Sequence, residues 1–177
     1  MEVDTPESFL TQAGYLTIKK SLESRYFLDF PNYEVRYAFT KVLLSTTYSV
    51  DNSDLLEVKD HLSDALDKQA VLEIIEQFKI IYASVPYVHF DANRTEHFYT
   101  ALLLMYLQAA GFEASPERLS NKGRLDLSLT YHEQVYIFEL EVDSPQKAIA
   151  QIIEKNYAGA YKNKQVILVG LQIDFTE

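Results

Sequence analysis

The sequence predicts an α/β protein in which helices flank a mixed β-sheet. Residues 51–90 and 94–111 carry apolar side chains at spacings of three and four, the period of amphipathic helices. Residues 123–142 instead alternate apolar and polar side chains, the period of strands. A third helical pattern and an apolar run at 164–171 follow. The C-terminal half therefore has the order helix, three strands, helix, strand.

Composition limits the class of protein. At 177 residues the chain can form one domain with a small appended subdomain. Its 13 Tyr and 10 Phe argue against disorder, and the lack of Cys excludes disulfides and thiolate metal sites. No apolar run reaches the roughly 18 residues of a membrane span, and the acidic N-terminus is unlike a signal peptide. We therefore expect a cytoplasmic protein.

Net charge narrows the possible partners. The formal charge of −10 argues against a broad, sequence-independent grip on nucleic acid, because Lys and Arg make the phosphate contacts. It leaves room for a local basic rim around an acidic metal site.

The first segment, residues 1–50, is predicted to contain a helix, a hairpin and a second helix. Thr5 and Pro6 suit the N-cap and the first helical position, and Gly14 suits the C-cap. Two short strands, YLTIKK and SRYFLDF, precede a helix that begins after Pro31. This order is typical of a small winged unit and equally of a simple cap on the core.

The second segment, residues 51–90, is predicted to be a helical connector. SDLLEVKDHLSDAL and KQAVLEIIEQFKIIYASV have helical apolar spacing. Asn52 or Ser53 is expected to cap the first helix, and Pro86 closes the region.

The third segment, residues 91–177, is predicted to hold the sheet. A helix that is buried on more than one side ends at Gly111, and FEASPERL is extended. The strands GRLDLSLTY and VYIFELEV are separated by a short polar HEQ. A helix capped by Ser144, with Pro145 at its first position, precedes KQVILVGL, which suits a strand buried on both faces.

Acidic residues lie at strand spacing in the central hairpin. Asp126 is on the polar face of its strand, and Glu139 and Glu141 share one face of the next. The two faces coincide only if the connection has an even number of residues, such as His132 and Glu133 or a four-residue loop. An odd number would put the acids on opposite sides of the sheet.

Converging carboxylates need a cation. Two carboxylates about 5 Å apart repel by roughly 3 kcal/mol at an effective dielectric near 20. Oxygen ligands without Cys or His favour Mg²⁺ or Mn²⁺ over zinc, and such an ion suits phosphodiester hydrolysis. The alternative interpretation is a solvated sheet face that carries no site.

The motifs GR-x-D, I-F-E-x, A-x-x-Q-I-x-x-K-x-Y and V-x-L-V-G occur in that order between residues 123 and 170. Through these motifs the chain resembles the PD-(D/E)XK nuclease-superfamily domain found C-terminal to AAA-ATPase-like domains in bacterial proteins. The upstream FLTQAGYLTIKKSLESRYFLDFPNYEVRYAF is similar to the segment preceding that domain. The resemblance implies a restriction-endonuclease-like α-β-β-β-α-β core and a Mg²⁺ or Mn²⁺ cofactor.

The resemblance also implies roles for individual residues. Asp126 is implied to bind metal, and Glu139 to be the acid of the E-x-K pair. Glu96 matches an acid of the first core helix, although a first-turn acid that complements the helix dipole explains it equally. Gln151 matches a glutamine of the later helix. Tyr157 closes that motif and suits the core better than the site.

Glu141 departs from the family pattern, which has Lys at this position. A lysine from elsewhere can replace it: Lys147 and Lys155 lie four residues either side of Gln151, on one helix stripe. A solvent-exposed helix face is the alternative for both lysines, more so for Lys147. Further basic residues beside Gly123 suit contact with phosphate. These are Lys122 and Arg124.

Two functions follow as hypotheses. In the first, a Mg²⁺-dependent nuclease hydrolyses nucleic acid, with metal held at Glu96, Asp126 and Glu139, and with further site residues at Glu141, Gln151 and Lys155. In the second, E-x-E in place of E-x-K marks an impaired nuclease fold that docks protein or nucleic acid; a purely structural dimerisation domain is a third option. The resemblance implies an AAA-ATPase-like partner domain in the same or another chain. Because the chain lacks a phosphate-binding G-x-x-x-x-G-K-[ST] loop, we expect it to be either the tail of a longer protein, which the resemblance of its opening residues favours, or a stand-alone remnant.

Overall fold

A computed structural model describes residues 5–23, 25–85, 96–116, 127–141, 144–155, 161 and 163–173. Within these ranges the side chains at positions 96, 151, 152 and 155 are not described.

The N-terminal unit consists of α1 (Pro6–Gln12), β1 (Thr17–Leu22) and β2 (Arg25–Asp29). The hydroxyl of Thr5 accepts from the backbone N–H of Ser8, so the predicted N-cap is confirmed. The C-cap is Ala13, and Gly14 is the next residue, where a φ of +81° turns the chain out of the helix. The strands form an antiparallel two-stranded sheet.

Three helices follow: α2 (Tyr33–Tyr48), α3 (Asn52–Asp67) and α4 (Val71–Ser84). The predicted cap of α3 is wrong. Asp51 rather than Asn52 or Ser53 caps this helix, because its carboxylate accepts from the Asp54 backbone N–H while the Asp54 carboxylate accepts from that of Asp51. The capping box fixes the start of α3 one or two residues earlier than predicted.

The pKa of Asp51 is lowered by the donated Ser53 hydroxyl and then by the backbone N–H groups of Asp54 and Ser53. Because the folded-state pKa is lowered, the cap stabilises fully above the unfolded-state value and is lost as pH falls through the folded-state value. We expect the urea midpoint of wild type to fall more than that of Asp51→Asn between about pH 6 and pH 3, since Asn caps without titrating.

The control for this prediction is Asp51→Ala, which removes the cap altogether and should lower the urea midpoint at every pH. Equal pH dependence of wild type and Asp51→Asn would contradict the prediction.

The sheet-bearing part contains α5 (Glu96–Ala109), β3 (Glu113–Pro116), β4 (Leu127–Tyr131), β5 (Gln134–Glu141), α6 (Pro145–Lys155) and β6 (Gln165–Gln172). The four strands form one mixed sheet in the order β3-β4-β5-β6. The first three are antiparallel, and β6 runs parallel to β5. The predicted order helix, three strands, helix, strand is confirmed, and the fold is a mixed α/β one.

The helices and the sheet share one apolar core. On the face of β5 that carries Tyr136 and Phe138, the ring of Phe78 from α4 packs edge-on against Phe138 with 5.0 Å between the centroids. The Tyr136 hydroxyl lies 3.2 Å from the carbonyl oxygen of Leu66 in α3. The last turn of α5 buries four consecutive residues, whose side chains point to all sides of the helix, so the prediction of burial on more than one side is confirmed there. They are Tyr106, Leu107, Gln108 and Ala109. The division into three segments stays a prediction.

The second face of the sheet packs against α6. Val135 and Ile137 of β5 form a small apolar cluster there with Ile149 of α6. The prediction that β6 is buried on both faces is wrong: Val169 is buried, but its neighbours are only half-buried. The physical reason is position, because β6 is the edge strand of the sheet in the described part of the chain. Among the described residues, no helix has the length and apolar character to cross a membrane.

Candidate active site

The two acids of β5 lie on the face covered by α6. Tyr136, Phe138 and Leu140 enter the main core, and alternate residues of a strand point to opposite faces. Glu139 and Glu141 therefore share the face of Ile137, which packs beneath α6. Their face is not the open, solvated one that the alternative interpretation requires.

The β4–β5 connection contains two residues. Tyr131 pairs with Gln134, so His132 and Glu133 alone form the loop, and His132 takes a φ of +51° in the left-handed region. Ser128 pairs with Ile137 in this register. The even connection, on which the convergence of the acidic faces depends, is therefore present. The last described pair of the ladder is Leu127 with Phe138.

Glu139 is the more deeply buried of the two acids. It is only 4% exposed, in a strand whose neighbours Phe138 and Leu140 are buried. Burial of a carboxylate is unfavourable unless donors or a cation compensate its charge. A buried acid at this position is therefore not part of a solvated surface.

Gly170 explains how α6 approaches Glu139. In the parallel ladder Gly170 is the residue opposite Glu139. A Cβ at Gly170 would lie 2.7 Å from the carbonyl oxygen of Pro145 and 2.8 Å from a side-chain carbon of Ile149. Because no side chain stands there, the first turns of α6 pack directly on β6 beside Glu139.

Glu141 is joined to the same helix by an ion pair. The Nζ atom of Lys147 lies 3.4 Å from Oε2 of Glu141, whose side chain is 14% exposed. Local sequence sets this position: the Ser144 hydroxyl accepts from the Lys147 backbone N–H, so Ser144 caps α6 as predicted. Lys147 is therefore no simple solvent-facing residue, and its ammonium group offsets the charge of Glu141.

Several predicted site residues have no described side chain. Glu96 begins α5, and Gln151 and Lys155 lie in α6 in one continuous helix with Lys147. The remaining predicted residues fall outside the described ranges; they are Lys122, Arg124 and Asp126. The structure thus brings together Glu139, Glu141 and Lys147, and the roles of the others stay predictions.

The fit of a divalent ion depends on the donor set. Among the residues whose side chains are described, no group of three His, Asp or Glu could hold a metal ion. Two of the predicted ligands, Glu96 and Asp126, are not in that set. Glu139 is the predicted ligand whose side chain is described. Its donors are carboxylate oxygens, which suit a hard ion such as Mg²⁺ or Mn²⁺.

Sequence reasoning missed the packing role of Gly170. A single Gly within the apolar run QVILVGLQ was the available signal, because a Gly inside a strand often marks close approach of another backbone. For Lys147 the helix spacing was visible, but the sequence did not say which lysine faces Glu141.

The α-β-β-β-α-β order, with acids on the helix-covered face of the central hairpin, is compatible with a restriction-endonuclease-like fold. The comparison with protein families agrees, because residues 94–177 match the model described as PD-(D/E)XK nuclease superfamily. Residues 94–177 are thus similar to domains of that superfamily.

A curated protein of Azotobacter chroococcum mcd 1, named "Uncharacterized protein in vnfD 5'region", is 27% identical over 180 residues. The match covers 96% of this chain and 35% of the relative, so the chain spans about a third of that protein's length. No solved structure matches.

Proposed function

We propose that residues 94–177 form a divalent-metal-dependent nuclease domain that hydrolyses phosphodiester bonds of nucleic acid. The observation that carries the proposal is the buried carboxylate of Glu139, beside the Glu141–Lys147 ion pair and under the first turns of α6. The superfamily match of this part of the chain supports it. Mg²⁺ or Mn²⁺, when bound, supplies an activated water and stabilises charge on the phosphate.

In this proposal Asp126 joins Glu139 as a metal ligand. Asp126 directly precedes the first described residue of β4, and the ladder in front of it pairs Leu127 with Phe138. We propose that the pairing continues for one further step in the same register, with Asp126 opposite Glu139. Glu96 completes the ligand set from the start of α5, and Lys122 and Arg124 contact the phosphate backbone.

Lys147 takes the role that the family gives to the lysine of E-x-K. Its ammonium is half exposed and is held by Glu141, which lies two residues beyond Glu139 on the same face. Held there, it can donate to a phosphate oxygen or to the attacking water. Gln151, one turn further along α6, is proposed to orient the same groups, with Lys155 one turn beyond.

Binding of Mn²⁺ tests the proposal. We expect calorimetric titration of wild type to give a micromolar to low millimolar dissociation constant. Glu139→Gln and Asp126→Asn should weaken binding at least about tenfold, because each removes one charged ligand from an oxygen-only site. A matched control is Glu133→Gln in the hairpin loop, which makes the same charge change at the far end of β5 and should leave binding unchanged.

Equal Mn²⁺ binding by wild type and Glu139→Gln, with both folded by circular dichroism, would contradict the metal site. Glu141, acidic where the family has Lys, favours a second candidate, an impaired nuclease fold that docks protein or nucleic acid. Metal binding without cleavage of DNA or RNA would support that candidate. We also propose association with an AAA-ATPase-like domain in the same or another chain, consistent with the greater length of the relative.

A further inference from the structure

The hairpin of β1 and β2 exposes large apolar side chains far from the described acids in sequence. Tyr26 is 65% exposed and Phe27 49%, and Ile18 and Leu22 are similarly exposed. Exposed aromatic groups on a two-stranded sheet contribute little to its own stability, since such a hairpin buries little area. This surface is therefore a candidate for contact with a partner.

The charge of the hairpin is opposite to that of the chain. Residues 17–28 carry three basic side chains, Lys19, Lys20 and Arg25, and a single acid, Glu23. The three basic side chains are exposed. Asp29, at the end of β2, is engaged by Arg36 of α2 at 2.8 Å. In a chain of net charge −10, the hairpin presents a local excess of positive charge.

The strand register combines these side chains on one face. Lys20 lies opposite Phe27, and Leu22 lies opposite Arg25. Since residues two apart in a strand share a face, Lys20, Leu22, Arg25 and Phe27 form one surface, which we call the hairpin face. It sets two cations beside an exposed aromatic ring.

We propose that the hairpin face binds single-stranded nucleic acid, with Lys20 and Arg25 contacting phosphates and a base stacking on Phe27. Paired cations and an aromatic platform are the groups that recognise single strands with little sequence preference. A protein partner fits less well, because Lys is depleted from protein interfaces. The proposal extends the nuclease function above by adding a substrate-contact surface, and its test does not depend on cleavage.

Fluorescence anisotropy with labelled oligo-dT and oligo-rU of about 20 nucleotides, in EDTA, provides the test. We expect Lys20→Glu/Arg25→Glu to weaken binding at least about tenfold and to reduce the slope of log affinity against log salt by roughly 1.4, about 0.7 for each lost phosphate contact. Phe27→Ala should weaken binding between about 5- and 100-fold with the slope unchanged, because stacking involves no ion release. The conservative variant Phe27→Tyr should bind with wild-type affinity, because it keeps an aromatic ring at this position.

The control is Lys79→Glu on α4, an exposed lysine outside the hairpin, which should leave both affinity and slope unchanged. Failure of wild type to bind either oligonucleotide would overturn the inference, as would hairpin variants with wild-type affinity. The relative affinities for oligo-dT and oligo-rU distinguish DNA from RNA. Failure of the nuclease proposal is seen separately, as a silent Mn²⁺ titration in a protein that still binds the strand.

Discussion

In the proposed nuclease, replacing Lys147 by glutamate is expected to lower the rate of metal-dependent phosphodiester cleavage at least about 100-fold, the loss typical of removing one preorganised charge-stabilising donor. In wild type the carboxylate of Glu141 is paired with Lys147 at 3.4 Å. The variant replaces that cation with a second negative charge. The two carboxylates at positions 141 and 147 would repel each other, and both would repel a phosphate group of the substrate. Initial cleavage rates of a labelled oligonucleotide at saturating Mn²⁺ provide the measurement.

The charge-swapped double variant Glu141→Lys/Lys147→Glu separates electrostatics from folding. It restores the ion pair and places a lysine at the strand position where the family has one, so we expect cleavage to recover to within about tenfold of wild type. Lys147→Glu should also lower the free energy of unfolding, because it places a like charge against the largely buried carboxylate of Glu141, and the charge swap should recover that loss. Wild-type cleavage in Lys147→Glu would remove this lysine from the mechanism. Cleavage gained only by Glu141→Lys alone would identify an impaired nuclease.

Gly170→Val is expected to lower the free energy of unfolding by about 2–3 kcal/mol and the melting temperature by roughly 5–10 °C. The new Cβ would lie 2.7 Å from a backbone oxygen of Pro145, and a backbone atom cannot move aside as a flexible side chain does. To relieve the overlap, α6 must shift away from β6. Thermal unfolding followed by circular dichroism provides the measurement.

A matched control for Gly170→Val is Gln165→Val at the exposed start of the same strand. Valine favours strands, so this variant should stay within about 0.5 kcal/mol of wild type. The shift of α6 also moves Lys147. We therefore expect Gly170→Ala to have a lower cleavage rate than wild type even at temperatures where the variant is fully folded. A Gly170→Val protein as stable as wild type would show that α6 does not depend on this close approach.

How far the site could be predicted differs from residue to residue. The alternation in VYIFELEV assigned Glu139 and Glu141 to one face, and the structure agrees. The sequence left open whether that face meets the acid of the preceding strand, because two-residue, odd and four-residue connections were all compatible with HEQ. The pair Tyr131–Gln134 decided for two. Loop length depends on how the whole ladder pairs, which no local pattern encodes.

Helix caps show the same limit at smaller scale. Ser144 and Thr5 were predicted from their position before Pro, and both cap their helices. For α3 the prediction chose Asn52 or Ser53, whereas Asp51 caps it through a reciprocal bond with Asp54. Adjacent Asp, Asn and Ser have similar capping preference, so propensity alone does not choose among them. The backbone geometry of the entering chain does.

The sequence by itself determined the order of helices and strands and the face of β5 that carries the acids, because both follow from side-chain periods within one element. Only the tertiary structure decided that Lys147 lies beside Glu141, that Gly170 admits α6 against the sheet, and that β6 is an edge strand among the strands described. These facts depend on contacts between elements that are distant in the chain, where packing and strand order, rather than local pattern, select the neighbours.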